Sequence, residues 1–159
     1  MRPTLDPPTP QVRDQMRRAR RSDTGPEVAL RRILFAEGLR YRTNFAPVAG
    51  IRTKADMVFL RTKVAVYVDG CFWHGCPIHA TWPKNNAEFW RAKINTNIQR
   101  DARVTAALTG AGWTVLRLWE HETSTEMARR VRDAVAERVR VLPRPATWVD
   151  NGKSSRQEE

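Results

Sequence analysis

Asp69, Cys71, His74 and Cys76 fall within eight consecutive residues, in the segment Val66-Tyr67-Val68-Asp69-Gly70-Cys71-Phe72-Trp73-His74-Gly75-Cys76. An apolar run that reads as a buried strand breaks at Asp69-Gly70 into a turn. That turn holds a carboxylate, an imidazole, two thiols and two adjacent aromatic rings. Rigid strands commonly present functional groups on the loops at their ends. An imidazole can take up or release a proton near neutral pH. The working site is expected here.

Every Cys and His of the chain lies between Cys71 and His121. Cys71, Cys76 and His79 have the spacing C-x4-C-x2-H, and His121 stands just beyond the last apolar segment. Four nitrogen and sulfur ligands are what a closed tetrahedral zinc site requires. Such a site would tie the loop to the sheet. The alternatives are two buried thiols with surface histidines, or a small disulfide loop. Without a secretory signal, reduced thiolates binding a metal are favoured over the disulfide. His74 sits between the cysteines and beside the rings, and is reserved for chemistry.

Asp56 enters the apolar stretch Lys54-Ala55-Asp56-Met57-Val58-Phe59-Leu60. An unpaired charge there is costly, so it needs exposure or a neutralising cation. A hard, oxygen-ligated ion such as Mg²⁺ would satisfy it and could hold a scissile phosphate; an arginine partner would satisfy it equally. Trp90, Ile94, Asn97, Asp101 and Leu108 fall along one helical stripe. Asn97 and Asp101 interrupt this core-facing row, and Arg100 beside them could contact phosphate. Phe72-Trp73 on the turn, Trp82 in a loop and Trp90 near a helix start are large rings. Apolar wedges of this kind can enter a base step. Two adjacent rings on one turn should leave at least one exposed.

The elements that must position these groups follow from pattern. Thr24-Gly25-Pro26-Glu27 is a capping box that opens a helix with Leu30, Ile33 and Leu34 at helical spacing, stopped by Gly38. Capping alone would account for Glu27. Strands are expected over 40–45, 55–60, 64–68 and 113–119, with the second and third forming a hairpin. A long helix is expected from Ala87 to Leu108. Thr123-Ser124-Thr125-Glu126 opens a last helix that Pro143 and Pro145 end. The order α-β-β-β-α-β-α is a mixed α/β layer fold.

With 28 Lys+Arg against 17 Asp+Glu, a net charge of +11, the surface favours a polyanion, most commonly nucleic acid. At 159 residues the chain fits one domain, with 41% hydrophobic content to fill it. Mean hydropathy is -0.58, and no apolar stretch approaches the roughly 20 residues of a membrane span. Residues 1–21 are Pro- and Arg-rich without an apolar signal region, so a cytoplasmic, membrane-free protein is expected. Residues 1–21 are read as a flexible basic arm, 22–142 as the functional domain and 143–159 as a disordered tail.

Assembled, these residues resemble the very short patch repair endonucleases, DNA mismatch-nicking enzymes with a restriction-endonuclease-like αβββαβ core. The resemblance runs from about Met16 to His121. It is carried by Asp23-Thr24-Gly25-Pro26-Glu27, Asp56, Gly70-Cys71-Phe72-Trp73-His74, Glu88-Phe89-Trp90, Asn97, Arg100-Asp101, Gly112-Trp113 and Trp119-Glu120. It implies a metal-binding carboxylate at Asp56 and a metal-binding backbone carbonyl at Val68. It further implies a catalytic histidine at His74, with supporting acids at Glu27 and Asp101. Asp69 stands where that pattern can hold a histidine, and is counted with the catalytic group. Structural zinc is implied at Cys71, Cys76, His79 and His121, with His121 standing where a cysteine can occur. DNA contacts are expected from Phe72, Trp73, Trp90, Asn97 and Arg100, and from Met16 and Arg17 at the start of the matching stretch.

The implied activity is Mg²⁺-dependent nicking of one strand of duplex DNA beside a mismatch, a T:G pair from deaminated 5-methylcytosine. The expected protein is a monomer working alongside mismatch-repair proteins. Two other readings stay open from sequence: a related restriction or defence nuclease, and a non-catalytic zinc-stapled DNA-binding module.

Overall fold

The structure, a computed structural model, describes Pro10, Arg13 and residues 23–79 and 81–142. The expected DNA contacts at Met16 and Arg17, and nearly all of the expected arm and tail, lie outside the described residues.

Helix α1 (Gly25–Ala36) opens at the capping box, where the Glu27 carboxylate accepts the Thr24 backbone N–H at 3.4 Å. Leu30 and Leu34, one turn apart, are fully buried. The helix stops where Gly38 takes φ +87°, a left-handed conformation open to glycine without steric penalty. Strand β1 (Arg42–Phe45) starts later than expected. Gly38 and Leu39 instead close the helix C-terminus, with the Leu39 N–H returning to the Leu34 carbonyl, and residues 40 and 41 are irregular.

Strands β2 (Ala55–Phe59) and β3 (Val64–Asp69) form the expected antiparallel hairpin, in the register Met57↔Val66 and Phe59↔Val64. Strand β4 (Thr114–Trp119) lies parallel to β3, from Val64↔Thr114 to Asp69↔Trp119. Parallel neighbours need a crossover, and α2 (Ala87–Gly110) supplies it. The sheet order is β1-β2-β3-β4. Helix α3 (Ser124–Val141) follows, its N-cap Thr123 accepting the Glu126 N–H. This mixed α/β architecture is compatible with a restriction-endonuclease-like core.

Side chains alternate across β3, so the sheet buries both faces. Val64 and Val66 join Leu30, Leu34, Met127 and Val131 beneath α1 and α3. Ala65 and Tyr67 face the other way, with Leu108 of α2 and Trp113. Among the described residues no helix is long and apolar enough to cross a membrane.

The parallel register decides where function can sit. β3 and β4 end side by side at Asp69 and Trp119, so the loops leaving them emerge together. The Glu120 N–H donates to the Asp69 carbonyl at 3.0 Å, and the Cys71 N–H donates to Glu120 Oε1 at 2.7 Å.

Candidate active site and metal cluster

On the loop after β3, His74 is held from two sides. Its Nδ1 lies 2.5 Å from Asp101 Oδ2, on α2, and 3.7 Å from Asp69 Oδ1, at the end of β3. Burial opposes the charge on Asp101, but the His74 hydrogen bond and the nearby Arg117 and Arg100 outweigh it. The carboxyl is held below the ordinary aspartate value. Asp101 is therefore the acceptor, and Nδ1 carries the proton. Nε2 is left as the nitrogen able to take a proton. Asp69, His74 and Asp101 offer ligand atoms all within 4.8 Å of one another.

Asp56 is on β2. Its Oδ2 accepts the Val68 backbone N–H at 2.7 Å, which joins it to β3 one residue before Asp69. Burial pushes its pKa up to about 6. The Val68 N–H works against that rise, while the neighbouring Glu27 and Asp69 carboxylates add to it. Glu27 is 4% exposed and lies 3.3 Å from Arg31, which also pairs with Asp23. Three acids from three elements, α1, β2 and β3, thus converge at one end of the sheet, linked to the His74 group through Asp69.

The second cluster contains Cys71, Cys76, His79 and His121. Both cysteines are free and buried, so no disulfide closes the loop. Cys71 Sγ is 3.1 Å from His121 Nδ1, and Cys76 Sγ is 3.7 Å from His121 Nδ1 and 3.9 Å from His79 Nδ1. Ligand bonds to zinc of ordinary length give a tetrahedron with edges of about 3.3–3.8 Å. The donor set and spacing fit such an ion.

The rings form a third group. Phe72 and Trp73 meet edge to face at 5.0 Å, and Trp90 from α2 packs against them at 5.6 and 6.0 Å. Phe89 adds an edge contact to Trp90 at 5.3 Å. The expectation that Phe72 or Trp73 would be exposed is corrected here. Both are half-buried, because Trp90 covers them. Trp82 and Phe89 are exposed. Asn97 donates to the Trp73 carbonyl at 2.9 Å, fastening the loop to α2. Arg100 is exposed beside Asp101, at 3.4 Å.

The family profile described as DNA mismatch endonuclease Vsr matches residues 6–79. The chain is similar to Type II nicking enzyme V.NaeI of Lentzea aerocolonigenes, with 47% identity over 76% of this chain and 74% of that one. This chain belongs to the Vsr endonuclease family. It is also similar to Type II nicking enzyme V.NmeDIP of Neisseria meningitidis serogroup C, with 42% identity over 84% of this chain and 93% of that one. DNA mismatch endonuclease Vsr of Escherichia coli K12 shares 35% identity over 66% of each chain. This Vsr-family protein is a DNA endonuclease, and the non-catalytic reading falls away.

Sequence reasoning missed several participants. Arg117, whose Nη1 donates to both oxygens of Asp69 at 2.8 and 2.9 Å, lies in a segment read only as buried strand. A charge inside an apolar run was the available signal, the same one that singled out Asp56. Thr105, which accepts from Arg117 Nε at 3.2 Å, carried no such mark, and Glu120, although part of the Trp119-Glu120 resemblance, was given no role there in holding the Cys71 N–H.

Proposed function

We propose that this enzyme is a Mg²⁺-dependent nickase that cuts one strand of duplex DNA beside a T:G mismatch, within very short patch repair. The observation carrying the reading is the pair of linked groups at the end of β3. A proton-accepting His74 is backed by Asp101, and the half-buried Asp56 carboxylate forms no ion pair among the described residues.

Asp56 and the Val68 carbonyl would hold Mg²⁺, with Glu27 supporting. When bound, such an ion supplies charge neutralisation at the scissile phosphate. His74 takes the proton of the attacking water at Nε2 as Asp101 holds Nδ1–H. Asp69 stands beside the same Nδ1, at 3.7 Å. Cys71, Cys76, His79 and His121 would hold Zn²⁺, which supplies a crosslink between the His74 loop and the segment after β4.

Phe72, Trp73 and Trp90 are the wedge that opens the duplex beside the mispair, where a distorted pair costs less to open than a matched one. Asn97 holds Trp73 in this wedge. Arg100 is exposed on α2, on the same side as the exposed Lys93 and Arg103, and contacts phosphate. Met16 and Arg17 extend that contact from the N-terminal arm. The nuclease domain spans residues 22–142, between the basic arm and the tail. A cytoplasmic monomer acting with mismatch-repair proteins completes the reading, which here rests on the family resemblance.

The relatives named Type II nicking enzymes support single-strand cutting, and the relative and family profile named for DNA mismatch endonuclease support a mismatched duplex as substrate. The test is a strand-labelled T:G duplex beside its T:A control, each with Mg²⁺ or with EDTA. The expected result is a single nick, in one strand of the T:G duplex, only with Mg²⁺. Equal cutting of both duplexes would favour a nuclease serving restriction or defence; cutting in EDTA would remove the Mg²⁺ requirement.

A further inference from the structure

Arg117 lies on β4, and its neighbours Leu116 and Leu118 pack on the α1 and α3 side. Strand alternation turns Arg117 to the opposite face, toward α2. Its side chain is only 22% exposed, and each guanidinium nitrogen has its own partner. Nη1 reaches both Asp69 oxygens, Nε donates to Thr105 Oγ1, and Nη2 lies 3.4 Å from Asp101 Oδ1. The group lies 4.6 Å from the ring centre of its cross-strand neighbour Tyr67.

Asp69 and Asp101 are the same two acids that flank His74 Nδ1. Asp69 is 5% exposed, and without a cation it would stand as a bare buried carboxylate 3.7 Å from the imidazole. It would then compete with Asp101 for the Nδ1 proton. From this geometry we infer that Arg117 is a positioning residue for the hydrolysis, a built-in cation that occupies Asp69 so that Asp101 alone orients His74. A divalent ion between these acids would have to displace a guanidinium that already holds both. The pair Asp69–Arg117 therefore fixes which acid holds the Nδ1 proton, and with it the direction in which Nε2 points. Lysine is a poor substitute, because one ammonium cannot span two acids and a hydroxyl.

This inference rests on the reading of His74 as the proton acceptor, and the experiment separates the two. Arg117→Gln, Arg117→Lys and His74→Ala are compared with wild type in the Mg²⁺-loaded full chain. Single-turnover nicking, T:G duplex affinity and ring ¹⁵N–¹H correlations of His74 are measured. Only three histidines are present, which keeps the ring signals assignable.

Arg117→Gln is expected to slow the nicking step by about 10–100-fold with duplex affinity unchanged, and to shift the Nδ1–H signal of His74, as the freed Asp69 carboxylate competes with Asp101 for that proton. Arg117→Lys should fall between it and wild type. If circular dichroism shows that Arg117→Gln does not fold, Arg117→Lys carries the test by the same two readouts. A folded Arg117 variant with wild-type rate, or with lost rate but an unchanged His74 ring, overturns the inference while a dead His74→Ala preserves the base assignment. Wild-type nicking by His74→Ala would overturn that assignment and this inference together.

Discussion

His74 Nδ1 and Asp101 Oδ2 meet at 2.5 Å across the gap between the β3 loop and α2, residues 27 positions apart in the chain. The contact fixes the imidazole orientation and, because Asp101 stays ionised, the site of its proton. His74→Ala should therefore lower the single-turnover nicking rate by about 10²–10⁴-fold, the usual range for a positioned acid–base group. Asp101→Asn keeps the shape but removes the charge, and should cost less than His74→Ala. Duplex affinity should hold in both. A parallel fall in affinity and rate would move these residues from chemistry to binding.

Asp56 gives the pH dependence. Its folded pKa of about 6 lies above the ordinary aspartate value, so the folded metal-free protein holds a proton that the unfolded chain has lost between about pH 4 and pH 6. Its contribution to stability is fully present below pH 4 and is lost as pH rises through 6. The loss amounts to about 3 kcal/mol at most, at 1.4 kcal/mol per unit. Asp56→Asn should therefore abolish Mg²⁺-dependent nicking yet raise the midpoint of urea unfolding at pH 8 and leave it unchanged at pH 4. Mg²⁺ should stabilise the wild type more at pH 8 than at pH 5, where protons compete for the carboxylate. An equal Asn effect at both pH values would remove the burial penalty from the account.

Much of this arrangement is legible in the sequence. The continuous apolar run of β3, helical spacing in α1 and the Thr24 and Thr123 caps determine elements by local rules, and the structure follows them within a few residues. Asp56 and Asp101 stand out because each puts a charge on an apolar face. The missing part is the pairing between distant elements. Nothing local says that Arg117 meets Asp69, because that contact depends on the parallel register Asp69↔Trp119, which only the crossover by α2 creates. The role of Glu120 was opaque for the same reason: its partner is a backbone N–H 49 residues away. The half-burial of Phe72 and Trp73 likewise depends on where α2 brings Trp90.

The Cys71, Cys76, His79 and His121 cluster predicts about one zinc per chain by elemental analysis of the purified protein. Cys76→Ser should lose that zinc and lower thermal stability, because such an ion would crosslink the β3 loop to the segment after β4. Nicking should fall with the metal, since His74 lies on the clamped loop. Full zinc content in both Cys71→Ser and Cys76→Ser would place the ion elsewhere.

Gly75 separates His74 from Cys76 and is conformationally required. It has φ +64°, and a Cβ there would meet Ile98 Cδ1 at 2.7 Å and Ile94 Cγ2 at 3.2 Å. Ile94 is buried and cannot move freely, whereas Ile98 is exposed. Gly75→Ala should destabilise by about 1–2 kcal/mol from the left-handed backbone alone, with the clash added. Combining it with Ile98→Ala should recover only the steric part in urea unfolding. Full recovery would show that the backbone conformation costs little.

Trp90 tests whether the ring cluster reads the mispair or merely packs. It touches Phe72, Trp73 and Phe89, so Trp90→Ala removes the ring that braces the loop. If the rings enter an opened base step, the loss falls on the duplex that opens, at about 1–3 kcal/mol per stacked base. Competition binding should then show T:G affinity dropping by about tenfold or more while the T:A control changes little, which narrows the discrimination between them. Phosphate contacts from basic residues of α2 would touch both duplexes alike, so they could not produce that asymmetry. An equal loss on both duplexes would reduce Trp90 to a packing residue and move mismatch recognition to other groups.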